Sequence, residues 1–139
     1  MSAQPEVFEG SCLCRKVIYR ARGPLTTMDN CHCTDCRKSH GAAFATYIEI
    51  PRAALEFVSG QEEMTTYAAP SGTRRSFCRA CGSNILCWVE GDPTVEIAAG
   101  SLDSAITARP RSHIFVRSKV SWFDIQDGMP QYQAYRRDG

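Results

Sequence analysis

The chain has 139 residues, 43% of them hydrophobic and 22% charged, with a formal net charge of +1. This length suits one domain with a hydrophobic core that needs no staples, and the composition is that of an ordinary globular protein. A near-neutral balance excludes the basic field that holds nucleic acid, and there is no acidic or polybasic tail. The N-terminal stretch Met1-Ser2-Ala3-Gln4-Pro5-Glu6 has no basic region followed by an apolar one. No apolar run reaches the roughly 18 to 20 residues that cross a bilayer, so no membrane partner is expected. The expected compartment is the cytoplasm, where thiols stay reduced and clustered cysteines serve metal or catalysis.

Glycine and proline punctuate the chain, and between them lie short runs rich in β-branched and aromatic residues. These predict strands over 17–19, 43–50, 55–58, 64–67, 85–89, 95–99 and 113–116. In the second of them, Phe44, Thr46, Ile48 and Ile50 share one face. Helical signals are confined to single turns at 35–39, 51–54 and 102–107, the second with proline at its first position. The sum is a mainly β, mostly antiparallel domain. Arg74, Arg75 and Arg79 form a local basic run, read here as a solvated face.

The eight cysteines are grouped. Cys12 and Cys14 form a Cys-x-Cys pair, Cys31, Cys33 and Cys36 a central trio, and Cys78 and Cys81 a Cys-x-x-Cys pair, while Cys87 stands apart. Zinc prefers tetrahedral thiolate and imidazole ligands, and pairs at these spacings let a tight loop wrap the ion. Gly82, next to Cys81, relieves the turn and frees backbone amides to point at sulfur. The first and last pairs together supply four thiolates, a closed structural site of Cys12, Cys14, Cys78 and Cys81. The trio is one ligand short, and an open position is what separates a catalytic zinc from a structural one. The trio could also stand empty or take a fourth protein ligand. Alternation places Cys87 beside Ile85 and Val89 on a core face. His40, four residues after Cys36, could return to the trio, and His32, between two ligands, is expected to point away. His32, His40 and His113 each read best as structural histidines.

Three motifs in order, Gly10-Ser11-Cys12-x-Cys14, Cys31-His32-Cys33-x-x-Cys36-Arg37-Lys38 and Phe77-Cys78-x-x-Cys81-Gly82-Ser83, resemble the family of glutathione-dependent formaldehyde-activating enzymes, which includes the centromere-protein-V domain. Ala99-Gly100-Ser101-Leu102-Asp103, 113–119 and Trp122-Phe123 agree with it. The resemblance runs from about Glu9 to Tyr135, so 1–139 is expected to be one such domain with its core over about 9–135. It implies an Mss4-like fold, twisted antiparallel sheets around a structural zinc with few short helices. It also implies one structural zinc on Cys12, Cys14, Cys78 and Cys81 and a second on Cys31, Cys33 and Cys36, which would be the catalytic residues. The implied activity is that of a carbon–sulfur lyase joining a small thiol to an aldehyde, as in S-hydroxymethylglutathione. Arg37 and Lys38 follow the trio and could meet a substrate carboxylate. The alternative is a non-catalytic zinc module that binds a protein partner. The sequence departs from the family at Arg15, where glycine is usual, and is shorter, so loops for a glutathione-sized ligand could be missing.

Overall fold

The computed structural model describes residues 6–136. Among these residues ten strands make two sheets. Strands β1 (Val7–Ser11), β2 (Ile18–Arg22) and β5 (Leu55–Ser59) pair antiparallel in the order β1-β2-β5. Strands β3 (Thr27–Cys31), β4 (Ala45–Pro51), β6 (Met64–Ala68), β7 (Thr73–Cys78), β8 (Asn84–Val89), β9 (Thr94–Ala98) and β10 (His113–Ile114) form the larger sheet, ordered β10-β3-β4-β9-β8-β7-β6. Its pairings are antiparallel except the two-residue β10–β3 ladder. The mainly β expectation holds.

Strand β4 explains how the larger sheet positions the site. Period two sends Ile48 and Ile50 to one face and Ala45 and Tyr47 to the other, and all four are buried. Ile48 and Ile50 join Val17, Tyr19, Ile85, Val95 and Ile97 in the main core between the sheets. Each fully buried isoleucine contributes about 1.5 to 3 kcal/mol. Ala45 and Tyr47 belong instead to a smaller cluster with Cys31, Cys36, Cys87 and Ala98. Phe44 lies just before the strand, its ring 4.8 Å from that of His32.

The one α-helix among the described residues, α1 (Thr34–His40), is capped at its start by the Cys33 side chain and closed by Gly41 at φ 60°. Pro51 caps a single 3-10 turn, Arg52–Ala54, from outside rather than starting it. The turn expected over 102–107 does not form. A 3-10 turn occupies Ala99–Ser101 instead, Leu102 bridges to Gly10, and the amides of Asp103 and Ser104 both donate to the Glu9 carbonyl, at 2.8 and 3.1 Å. Donors engaged by β1 cannot bond back along a helix. The strand expected over 113–116 stops after Ile114, because Phe115 turns to φ 56°. Strands β1, β3 and β7 were not among those expected. No helix among the described residues is long and apolar enough to cross a membrane.

Candidate metal centres

The loop before β2, the last residue of β7 and the turn after it bring Cys12, Cys14, Cys78 and Cys81 together, with their Sγ atoms all within 4.8 Å of one another. Cys12 Sγ lies 3.6 Å from Cys14 Sγ, which lies 3.9 Å from Cys78 Sγ. A tetrahedron of sulfurs about 2.3 Å from a central zinc has edges near 3.8 Å, so the donor set fits that ion. These spacings are far longer than a disulfide bond, and all eight cysteines are free. The surrounding groups suit thiolates. The Val17 amide donates to Cys12 Sγ at 3.3 Å, and Ser83 Oγ lies 3.2 Å from Cys81 Sγ. That serine contact, with backbone amides behind it, lowers the Cys81 thiol to about 5. Gly82 at φ 80° provides the knuckle turn. Arg15 occupies a similar left-handed conformation, φ 66°, at the position where the sequence departs from glycine.

The second cluster is Cys31 at the end of β3, Cys33 at the cap of α1 and Cys36 in its first turn, again within 4.8 Å of one another. The Cys36 amide donates to Cys33 Sγ at 3.2 Å. The hydrogen bonds from Cys31 and Cys36 hold the Cys33 thiol well below its ordinary range, while the same contacts push Cys31 upward. Among the described residues the donors gathered here stop at three. Cys87 is buried as expected, but not beside Ile85 in the main core. It lies in the smaller cluster, together with Cys31 and Cys36. Val89, expected to share its core face, is 40% exposed.

Arg75 corrects a second expectation. It is buried, not solvated, and donates to Cys36 Sγ at 3.6 Å and to Tyr47 Oη at 3.2 Å. Arg74 and Arg79 do sit at the surface, paired with Glu90 and Glu63. Among the described residues Arg75 makes no carboxylate ion pair. A buried guanidinium without a counter-charge is costly. Three thiolates around a divalent ion carry one net negative charge, which balances it. That charge match is a second reason the trio fits a metal.

The row of facing residues across the sheet continues from Arg75 through Cys87 and Glu96 to Glu49. Burial, aided by Glu49 and Asp29, raises the Glu96 carboxyl to about 7. On the other side of the trio, the His32 amide donates to the Ile114 carbonyl. The His32 ring turns away from the sulfurs: Nε2 meets His113 Nδ1 at 2.8 Å, and His113 Nε2 meets Asp127 at 2.8 Å. His40 does not join the trio either; its Nε2 lies 2.7 Å from Tyr47 Oη.

Two cavities flank α1. One, of about 550 Å³, is lined by Lys38, Ser39, Tyr67, Arg75 and Asn84 among others. The second, about 700 Å³, is lined by His40, Ala45, Ala98, Arg15 and Asp103 among others. Lys38 therefore faces a cavity. Arg37 lines neither; it bonds Thr34 through Nη2 and leaves Nε buried without a partner among the described residues. Sequence reasoning missed Arg75, Tyr47 and Glu96. Period-two alternation in β7 could have turned Arg75 inward between Arg74 and Ser76, but nothing in the sequence marks which face meets the trio.

Compared with known families, residues 7–118 match the model of the glutathione-dependent formaldehyde-activating enzymes. The chain belongs to this family. Among curated relatives is a Halomonas elongata protein provisionally named a glutathione-dependent formaldehyde-activating enzyme, 29% identical over 130 residues, 86% of this chain and 82% of the relative. An uncharacterized lyase of Schizosaccharomyces pombe is 30% identical over 78 residues, 56% of this chain and 55% of that one. Among solved structures, a Rhodobacter sphaeroides protein superposes with a TM-score of 0.59 at 22% identity, covering 71% of this chain and 91% of its own, a likeness of fold.

Proposed function

We propose that this family member is a zinc-dependent carbon–sulfur lyase or synthase acting on a small thiol–aldehyde adduct. Cys12, Cys14, Cys78 and Cys81 would hold a structural zinc, and Cys31, Cys33 and Cys36 a second. The observation that carries the reading is the trio itself: three sulfurs, one short of a closed shell, beside a buried Arg75, with two cavities lined by neighbouring residues of α1. When bound there, zinc supplies a fourth position at which a substrate thiol sheds its proton.

The reaction is a reversible addition. The thiol proton passes to water, the sulfur's electron pair forms the C–S bond, the carbonyl π pair moves to oxygen, and that oxygen takes a proton back from water. Arg75 holds Cys36 Sγ in place and offsets the charge of the trio. Lys38 offers a cation at the cavity mouth for a carboxylate on the thiol. The family name makes glutathione the first thiol to assay, with formaldehyde as aldehyde.

The test is zinc per chain by elemental analysis, on protein purified without chelator, for the natural sequence and Cys36→Ser. Two zincs falling to one with the fold intact, together with adduct exchange by NMR faster than the spontaneous rate, is the expected result. One zinc, unchanged in the variant, would overturn it and favour a non-catalytic zinc module.

A further inference from the structure

The polar chain leading away from the trio fixes the hydrogen of one histidine by donor counting. Arg75 has only donors. Its Nη1 therefore donates to Tyr47 Oη, 3.2 Å away. Tyr47 is 4% exposed, and the only other partner of its hydroxyl among the described residues is His40 Nε2, at 2.7 Å. If His40 donated from Nε2, the tyrosine proton would be buried with no acceptor, which costs about 1 to 3 kcal/mol. The hydroxyl must therefore donate to Nε2. That leaves a neutral His40 with its hydrogen on Nδ1. Burial and the positive charge of Arg75 both lower the His40 imidazolium range and keep the ring neutral.

The free side of that ring is accessible. His40 Nδ1 has no hydrogen bond among the described residues, yet it is not among the atoms sealed from solvent. The ring lines the 700 Å³ cavity with Ala45, Ala98 and Cys12; both alanines belong to the buried cluster that holds Cys31 and Cys36, and Ala45 faces Cys31 across the sheet. His40 follows Cys36 by one helical turn in α1, which puts the two side chains on one face with Cβ atoms about 6 Å apart. A sulfur–carbon–oxygen unit held at the trio can span much of that gap.

We propose that His40 is a catalytic residue which donates an Nδ1–H hydrogen bond to the aldehyde-derived oxygen of the adduct, with Tyr47 and Arg75 as positioning residues that hold its tautomer. This inference rests on the lyase reading. The histidine changes no bond of its own. It stabilises the negative charge that collects on oxygen as the carbon–sulfur bond forms or breaks, and the proton itself is exchanged with water. A neutral imidazole suits a site whose cation, Arg75, is already committed to sulfur.

The test has two readouts on the zinc-loaded full chain. Nitrogen-15 NMR of ring-labelled histidine, with the signal assigned by loss in His40→Ala, should give His40 as the Nδ1–H tautomer near neutral pH, shifting toward Nε2–H in Tyr47→Phe. Exchange between glutathione plus formaldehyde and their adduct, read by NMR, should fall about 100-fold in His40→Ala at unchanged zinc content. An Nε2–H tautomer in the natural chain overturns the inference, as does an unchanged rate in His40→Ala. Two zincs and an Nδ1–H tautomer, but no exchange above the spontaneous rate in the natural chain, would refute the lyase reading itself and the donor role with it.

Discussion

Glu96→Gln should stabilise this protein in alkaline solution and leave it unchanged in acid. Glu96 is half-buried on β9, facing Glu49 on one side and Cys87 on the other. Burial first, then Glu49 and Asp29, raises its carboxyl from 4.5 to about 7. Cys87 offers no relief, since burial pushes its thiol up to about 12 and keeps it neutral. The sign follows from proton counting. Below pH 4.5 the carboxyl is protonated whether the chain is folded or not, and it costs nothing. Between 4.5 and about 7 the unfolded chain ionises first, so stability falls as pH rises. Above about 7 the loss is complete. A displacement of that size corresponds to about 3 kcal/mol, trimmed to about 2 by residual solvent contact. Glutamine keeps the shape and cannot ionise. The assay is urea unfolding of both proteins from pH 4.5 to 9 at fixed free zinc, comparing the two at each pH so that the pH dependence of zinc binding cancels. A difference that grows from near zero to about 2 to 3 kcal/mol in favour of the variant is expected. A difference flat in pH, or a variant less stable at pH 8, would refute the reasoning.

Arg75→Met should weaken zinc at the trio by about 10- to 100-fold, because a hydrogen bond to charged sulfur contributes about 1.5 to 3 kcal/mol. Competition with a chromophoric chelator reads this, and zinc on Cys12, Cys14, Cys78 and Cys81 should be untouched. Gly60→Ala should cost about 3 kcal/mol or more in urea unfolding. Its backbone sits at φ 79°, and a new Cβ would lie 1.8 Å from the Lys16 carbonyl oxygen. Gly41→Ala, at φ 60° with nothing near, should cost only about 1 to 2 kcal/mol in the same assay.

The cysteine clusters were legible because one- and two-residue gaps between thiols are the spacings that let a tight loop wrap a metal ion. The central strand was legible because Ile48 and Ile50 are two apart and bulky. Strand β7 was not, because its sequence Thr-Arg-Arg-Ser-Phe-Cys carries the polar residues that line the trio's side of the sheet. Arg75 looks like Arg74 in any linear reading. Only the pairing of β7 with β8 shows that one meets Cys87 and the other Trp88. The stretch 102–107 has the leucine, alanine and isoleucine of a helical turn, but the Glu9 carbonyl, more than ninety positions earlier, captures its amides. Such a competitor cannot be seen locally. Arg15 shows the converse. The left-handed backbone at that position gives the physical reason for glycine in the family.

Cys14 and Cys78 are 64 positions apart. A crosslink closing a loop of that length removes about 4 kcal/mol of unfolded-chain freedom in the chain-entropy account. The same separation has a consequence for biogenesis. Chains are made N-terminal end first, so Cys12 and Cys14 emerge long before their partners. The closed site cannot assemble until Cys81 has left the ribosome. During that interval the growing chain carries a bare dithiol, open to oxidation or to capture by a metal, and a zinc held by all four cysteines would have to arrive in the second half of synthesis.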